Sequence, residues 1–357
     1  MNFLMKKLWI ALLSLMIIAA SCVVGVYLTY LHSSQPSGIE ITDQLGRKVY
    51  VKKAERIVSL WPEATRVLFA LGAGDKIVGL DSSSRICPFL TKAFPQIRNV
   101  ADVGNVMGTL SLEKIAELNP DVVFMYTDNP ELAENIQTTL NVPVVCVRFN
   151  PPSTKDWSYD IISIIGSVIG RQEKASKLRA YLEQKLSEVT SVTSALPDSK
   201  KPKVYVTMSY DPLITLTWSS EVDYAGGINV AKNINATRPW MKVSLEQVIA
   251  WSPDIIIIPG ICIPGRKGIA PEDLLNNPDW QAINAVKNGK VYKVTWLGFF
   301  GFDPAGTVIS TFQRAKLFHP NLFKNLDVER EGNEIFKVVY GVDGLYTKLK
   351  KESGSSI

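Results

Sequence analysis

The feature that most constrains this chain is a segment that occurs twice. Leu110 to Tyr126 reads LSLEKIAELNPDVVFMY, and Val243 to Pro259 reads VSLEQVIAWSPDIIIIP. The two share Ser111 and Ser244, Leu112 and Leu245, Glu113 and Glu246, Pro120 and Pro253, and Asp121 and Asp254. Each copy predicts a helix with serine as N-cap and a carboxylate in the first turn, stopped near the proline. The apolar run after it predicts a strand buried on both faces, as in a parallel sheet. One such unit in each half predicts two similar lobes.

Length and periodicity agree with that division. A chain of 357 residues exceeds the size at which a single core stops growing, about 250 residues. Strands are predicted at Ile57–Leu60, Ile77–Leu80, Val122–Tyr126 and Val144–Val147, with helices at Pro62–Leu71 and Glu131–Leu140 between them. From Asp156 to about Val192 apolar residues such as Ile161, Ile165, Leu178 and Leu182 recur at helical spacing, as one long helix or two consecutive ones. Strands then resume at Val204–Met208, Ile255–Ile258 and Val291–Val294, and Asp303-Pro304 opens the last substantial helix expected, to about Phe318. The reading is an α/β fold of two Rossmann-like lobes with parallel sheets, 39–150 and 197–350, joined by a long connecting helix within 151–196. The Ser/Gly-rich end from Glu352 is expected to fray. Loops at the carboxyl ends of the strands would line a ligand cleft between the lobes.

The N-terminus places the body. Lys6 and Lys7 precede an uncharged apolar run from Leu8 to Leu31, long enough to cross a bilayer core of about 30 Å. The lysines stay inside, so the rest lies on the extracytoplasmic face of the cell membrane. Residues 1–32 are an uncleaved anchor, or a lipoprotein signal in which Ala19-Ala20-Ser21 precedes a lipidated Cys22, or a fully released leader. Residues 33–38 are a flexible tether. Cys87, Cys146 and Cys262 suggest no metal motif. Single buried thiols are the expectation, although an oxidising location permits a Cys87–Cys146 disulfide. Asn235-Ala236-Thr237 matches a glycosylation acceptor by pattern.

Several function classes are excluded. A formal net charge of +5 with no basic stripe does not suit nucleic acid. Gly72-Ala73-Gly74 follows a helix and precedes a strand, the reverse of the order a dinucleotide fingerprint needs. Histidines are confined to His32, beside the anchor, and His319 in a structural Phe-His-Pro turn, which serves neither a His-based triad nor a zinc site. No cofactor, metal site or catalytic residue is expected.

The chain resembles periplasmic substrate-binding proteins of ABC importers of the ferric-siderophore and cobalamin type. The resemblance runs from Ile41 to Gly341 and rests on Thr42-Asp-Gln-Leu-Gly-Arg47, Arg56-Ile-Val-Ser-Leu-Trp-Pro62, Leu68-Phe-Ala-Leu-Gly-Ala-Gly74 with Val78-Gly79, both repeat segments, and Ala225-Gly-Gly-Ile-Asn-Val230. It implies lobes joined by a rigid helix, a ligand carried to a permease dimer with its ATPase subunits, and one docking glutamate on each lobe, matching Glu113 and Glu246. Trp240 and Tyr126 match aromatic cleft positions of the corrinoid binders. Gly104 and Asn105 depart from those proteins, which carry an aromatic there.

The remaining candidates follow from geometry. Trp61, Trp218, Trp296, Phe299 and Phe300 fall at strand-exit loops, where aromatic faces suit a bulky ligand. Arg85, Arg148 and Arg238 fall on the same side, where guanidinium forks suit carboxylate or catecholate oxygens. The leading expectation is an iron-siderophore-like chelate. A corrinoid, or molybdate or tungstate held by backbone amides, and an extracytoplasmic enzyme are the alternatives.

Overall fold

The computed structural model describes residues 38–148, 159–235, 240–260, 268–295, 297 and 303–355. From Glu40 onward the chain forms one compact unit. The expected anchor with Cys22, the tether up to Ser37, Cys262 and most of the Asn235 tripeptide lie outside the described residues. Among the described residues no helix is long and apolar enough to cross a membrane.

The N-terminal lobe begins with strands β1 (Ile39–Thr42) and β2 (Lys48–Val51). It continues through β3 (Ile57–Ser59), α1 (Pro62–Ala70), β4 (Ile77–Leu80), α2 (Ser82–Ile86), α3 (Pro88–Ala93), β5 (Ala101–Asp102), α4 (Leu112–Glu117), β6 (Val122–Met125), α5 (Pro130–Leu140) and β7 (Val144–Cys146). The last five strands form one parallel sheet in the order β5-β4-β3-β6-β7. Every residue of β6 and β7 is buried, as their unbroken apolar sequence predicts for strands covered on both faces. Pro62 opens α1, where its missing N–H costs nothing.

Two helices follow, α6 (Asp160–Val168) and α7 (Gln172–Thr193). The break is at Gly170, whose φ of 69° is left-handed backbone that glycine adopts without penalty. The second of the two arrangements left open by the sequence is the one present. Helix α6 packs on α1 and α7 on the other half of the molecule.

That half contains β8 (Lys203–Val206), β9 (Ile214–Leu216), α8 (Ser220–Tyr224), β10 (Ile228–Asn229), β11 (Trp240–Lys242), α9 (Leu245–Trp251), β12 (Ile255–Pro259), α10 (Pro271–Leu275), α11 (Asn284–Lys287) and β13 (Val291–Val294). It ends with α12 (Pro304–Phe318), α13 (Val328–Tyr340) and α14 (Leu345–Ser353). Its parallel sheet runs β10-β8-β12-β13, and β9 pairs antiparallel with β11. The chain is thus an α/β protein of two lobes, each built on a parallel sheet.

The repeat is three-dimensional as well as sequential. Ser111 and Ser244 both cap their helices, accepting from Lys114 N and Gln247 N at 3.2 Å. Ile115 and Val248 are the fully buried residues of α4 and α9. Both helices end in left-handed backbone at equivalent residues, Asn119 (φ 45°) and Ser252 (φ 48°). Asp121 Oδ2 then accepts from Arg56 N at 3.0 Å, just before β3, and Asp254 Oδ2 from Lys203 N at 2.9 Å, at the start of β8. The Pro-Asp pair therefore ties each helix–strand unit to the strand beside it.

The lobes are also joined by buried polar and aromatic contacts. Helix α13 packs on α1 and α14 on α3. Phe89 of α3 meets Phe336 and Tyr340 of α13 at 5.3 and 5.0 Å between ring centres. Arg66 of α1, fully buried, interacts electrostatically with Cys87, Asp303 and Tyr340. The expected frayed end is a correction: α14 continues to Ser353. Ser353 is buried with its hydroxyl 3.4 Å from Thr295 Oγ1, and Glu352 pairs with Lys92 of α3 at 2.7 Å. Docking on α3 orders a stretch whose composition alone favours disorder.

Cys87 and Cys146 are buried free thiols, one beside Arg66 and the other beside Arg47. Burial pushes the Cys146 thiol up to about 11, so it stays protonated and inert. His319 bonds the Gly226 carbonyl at 3.0 Å, a structural contact.

Candidate functional site

In each lobe the strand order of the parallel sheet reverses at the strand that comes first in sequence within that sheet. In the N-terminal sheet β3 has β4 on one side and β6 on the other; in the second sheet β8 lies between β10 and β12. Such a reversal opens a crevice at the carboxyl ends of the flanking strands, because their connections leave in opposite directions. The residues that follow β3 and β6 include Trp61 and Tyr126, and those that follow β8 and β12 include Ser209 and Gly260.

Trp61 and Tyr126 are in contact, with ring centres 4.4 Å apart and planes 26° from parallel. The Arg148 guanidinium, arriving from the end of β7, lies 5.1 Å from the Tyr126 ring centre. Asp128 holds it at 3.1 Å. Stacking and cation–π contact in a partly desolvated setting are each worth about 0.5–2 kcal/mol. Burial pushes the Tyr126 phenol well above its ordinary value, with the Glu63 charge adding to this and Arg148 opposing it. The phenol is therefore a neutral donor.

Three polar atoms around this cluster are buried without a hydrogen-bond partner: Trp61 Nε1, Thr127 Oγ1 and Arg148 Nε. Each can donate. A buried donor left unpaired costs about 1–3 kcal/mol, so three together mark a place suited to an acceptor-rich ligand. Across the molecule Ser209 Oγ, at the exit of β8, is also buried without a partner.

Beneath Trp61 runs a buried chain of hydroxyls. Thr65 Oγ1 donates to the Trp61 carbonyl at 3.2 Å and lies 2.8 Å from Ser59 Oγ and 3.1 Å from Ser84 Oγ. The Ser84 hydroxyl bonds the Asp81 carboxylate, which also caps α2 through Ser84 N at 3.0 Å. Burial lifts the Asp81 carboxyl from 3.8 to about 6, while the Ser84 bonds and the Arg66 charge pull it down. The folded state therefore holds a proton, between the two values, that the unfolded chain releases. Stability attributable to Asp81 falls as pH rises through that window, by about 3 kcal/mol in all. Urea titrations between pH 4 and 7 are expected to show this slope in the wild type, and less of it in Asp81→Asn; parallel curves would disprove it.

The other sequence candidates fall into three groups. Trp218 and Trp240 are half-buried in the second lobe, Trp240 opposite Leu216 in the β9–β11 pair. Arg85 is engaged within its own lobe, donating to the Arg98 carbonyl at 2.8 Å and lying 3.5 Å from Asp102. None of its contacts reaches Trp61, Tyr126 or Arg148. Arg238, Trp296, Phe299 and Phe300 lie outside the described residues. Sequence reasoning missed Thr127 and Asp128, although their place directly after Tyr126 at a strand exit was available as a signal. It also missed Glu63, buried in the first turn of α1, which nothing in the local pattern distinguishes from an ordinary first-turn carboxylate.

The departure at Gly104 has a steric cause. Its φ is 91°, and a Cβ there would stand 1.9 Å from the Thr109 carbonyl oxygen. Only glycine fits the closed loop that follows, in which Asn105 accepts from Met107 N at 2.8 Å and donates to Ser83 Oγ at 2.9 Å. Met107, at the tip, is 76% exposed.

Glu113 and Glu246 occupy matching places in the two lobes, both exposed in the first turn of a helix. Each carboxylate is held below its ordinary value, by its own backbone N–H and by Ser111 or Ser244. The Ser111 hydroxyl donates to Glu113 at 3.0 Å. Both therefore present a fixed negative charge at neutral pH.

Comparison with known proteins extends this geometry. The family described as periplasmic binding protein matches residues 57–295. An ABC transporter substrate-binding lipoprotein of Bacillus subtilis is 26% identical over 262 residues, 72% of this chain and 78% of its own length. The molybdate-binding protein of Haemophilus influenzae is 26% identical over 330 residues, 84% of this chain and 90% of its own. A vitamin B12-binding protein of Vibrio cholerae is 29% identical over 255 residues, 68% of this chain and 83% of its own. Among solved structures, a periplasmic solute-binding protein from Veillonella parvula superposes with a TM-score of 0.69 at 25% identity, covering 86% of this chain and 94% of that one.

Proposed function

We propose that this chain, which belongs to the periplasmic binding protein family and is a substrate-binding protein of an ABC transporter, captures an anionic organic iron chelate of the siderophore kind. The observation that carries the reading is the Arg148 guanidinium over the Tyr126–Trp61 stack, with unpaired donors on Trp61, Thr127 and Arg148 beside it. Flat aromatic surface suits an organic ligand, and the cation with its neighbouring donors suits catecholate or carboxylate oxygens.

The ligand closes between the two lobes, and the complex docks on the permease through Glu113 and Glu246, which face arginines there. No covalent step is involved. The body is held at the extracytoplasmic face by the N-terminal apolar run or by a lipid on Cys22.

A compact oxyanion is a second reading. Trp61 and Tyr126 already cover one another and Trp61 is 8% exposed, which leaves less apolar face for a large ligand, and the molybdate-binding relative spans most of the chain. Calorimetric titration of the full-length protein with a ferric catecholate, a ferric hydroxamate, cobalamin and molybdate separates these. Binding of a ferric chelate that weakens at least about tenfold in Arg148→Met supports the first reading. Binding of molybdate or cobalamin alone overturns it.

A further inference from the structure

The Thr42–Arg47 motif has no part in the site described above, yet its contacts lead directly to Arg148. Strand β7 is the outer strand of its sheet, so one row of its backbone groups lacks a neighbouring strand. The turn between β1 and β2 supplies partners for that row. Cys146 N donates to Asp43 Oδ2 at 3.2 Å, and Gln44 N donates to the Cys146 carbonyl at 3.1 Å. Arg47 Nη2 donates to the Val144 carbonyl at 2.8 Å. Two residues further on, Arg148 N donates to the Gln44 side-chain oxygen at 2.5 Å.

The turn is itself rigid. The Asp43 carboxylate, buried, accepts from Leu45 N and Arg47 N at 3.0 Å each and is bridged by Arg47 at 2.7 Å. Gly46 has a φ of 78°, a conformation in which glycine alone is free of penalty. Asp43 and Arg47 thus hold the turn, while Gln44 is the residue whose side chain reaches past the end of β7 to the backbone of Arg148.

We infer that Gln44 is a positioning residue for ligand capture: its carboxamide oxygen fixes the Arg148 backbone at the strand exit and so places the guanidinium over Tyr126. β7 ends at Cys146, and beyond it Val147 N is bonded to the Met125 carbonyl at 2.8 Å. The Arg148 amide is therefore the first one past the sheet, and Gln44 is what holds it. Without that bond the guanidinium is held by the Tyr126 ring and by Asp128, which is 62% exposed, and an exposed ion pair fixes geometry weakly.

The inference rests on the ligand reading for its purpose but not for its structural content, and two measurements keep them apart. The first uses no ligand. With nitrogen-15 arginine labelling of the full-length protein, the Arg148 side-chain Nε–H signal, assigned by its loss in Arg148→Lys, should carry an upfield ring-current shift from Tyr126. Gln44→Met and Gln44→Ser, which cannot bond the Arg148 amide, should abolish that shift while the far-ultraviolet circular dichroism is retained. Gln44→Glu, which keeps an acceptor at the same reach, should preserve it. A shift that persists in whichever of Gln44→Met and Gln44→Ser folds overturns the positioning role.

The second measurement is affinity for a ferric tris-catecholate. Gln44→Met and Arg148→Met should each weaken this anionic chelate by about tenfold, without adding in the double variant. Additive losses overturn the inference. Absence of any wild-type binding to the catecholate defeats the ligand reading, and the resonance shift still decides the role of Gln44.

Discussion

Asp303→Ala is expected to lower the unfolding free energy by about 3–5 kcal/mol, a large fraction of the total for a domain of this kind. The Asp303 carboxylate is fully buried, caps α12 through Gly306 N, and accepts from the Tyr340 hydroxyl. It also opposes the buried positive charge of Arg66 in the other lobe. Burial pushes its carboxyl up, and Arg66, Tyr340 and the cap bonds pull it back. Burial, with Asp303 adding to it, keeps the Tyr340 hydroxyl protonated and therefore a donor. Alanine removes the cap and the acceptor and takes away one negative charge that acts on Arg66. Asp303→Asn keeps the cap and should cost clearly less. Guanidinium unfolding of the full-length variants, read by tryptophan fluorescence, measures both. A loss below about 1 kcal/mol for Asp303→Ala, the size of a simple cap deletion, would show that no charge coupling joins the lobes here.

The double variant Glu113→Ala, Glu246→Ala should abolish uptake while leaving ligand affinity unchanged. The two carboxylates are exposed and make no contact with Trp61, Tyr126 or Arg148, so their removal should not disturb the site. A charge pair buried at a protein interface loses about 2–5 kcal/mol when one partner is truncated, and loss at both lobes would weaken docking more than about a hundredfold. Each single variant should be intermediate, since one lobe remains engaged. Transport assays in cells lacking the native gene, with calorimetry on the same variants, give the comparison. Undiminished transport would remove the docking role and return both residues to helix-capping duty, in which the Ser111 and Ser244 contacts already place them.

Most of the fold was legible because its determinants are local. Serine caps, first-turn prolines and acids, and apolar runs of four or five residues act within a helical turn or one strand. All seven strands named from the sequence are present, and α1, α5 and α12 start within a residue of their expected positions. A correction is α13, a 13-residue helix beyond the one expected to be last, although its Asp327 cap and the left-handed Gly341 that stops it are local signals. The other elements missed are short or depend on a neighbour. β5 has two residues, the β9–β11 pair joins segments whose pairing no local pattern records, and α14 is ordered by Lys92 and Thr295 from distant parts of the chain.

The candidate site was legible in its parts and not in its assembly. Trp61, Tyr126 and Arg148 were identifiable because strand exits are where a parallel sheet exposes side chains. Their union was not, because Trp61 and Tyr126 meet only through the adjacency of β3 and β6, and Arg148 joins them only through β7. Arg85, equally well placed at a strand exit, is drawn to Asp102 and the Arg98 carbonyl instead.

What the amino-acid sequence determined by itself was the repeat, and with it two lobes, two helix–strand units, and two first-turn glutamates facing solvent. What tertiary structure alone decided was which distant residues share a charge or a hydrogen bond: Gln44 with Arg148, and Arg66 with Asp303 and Tyr340. Periodicity and capping are set by interactions a few residues apart, whereas these pairings exist only after the sheets and helices have packed. Burial then makes each of them costly to break.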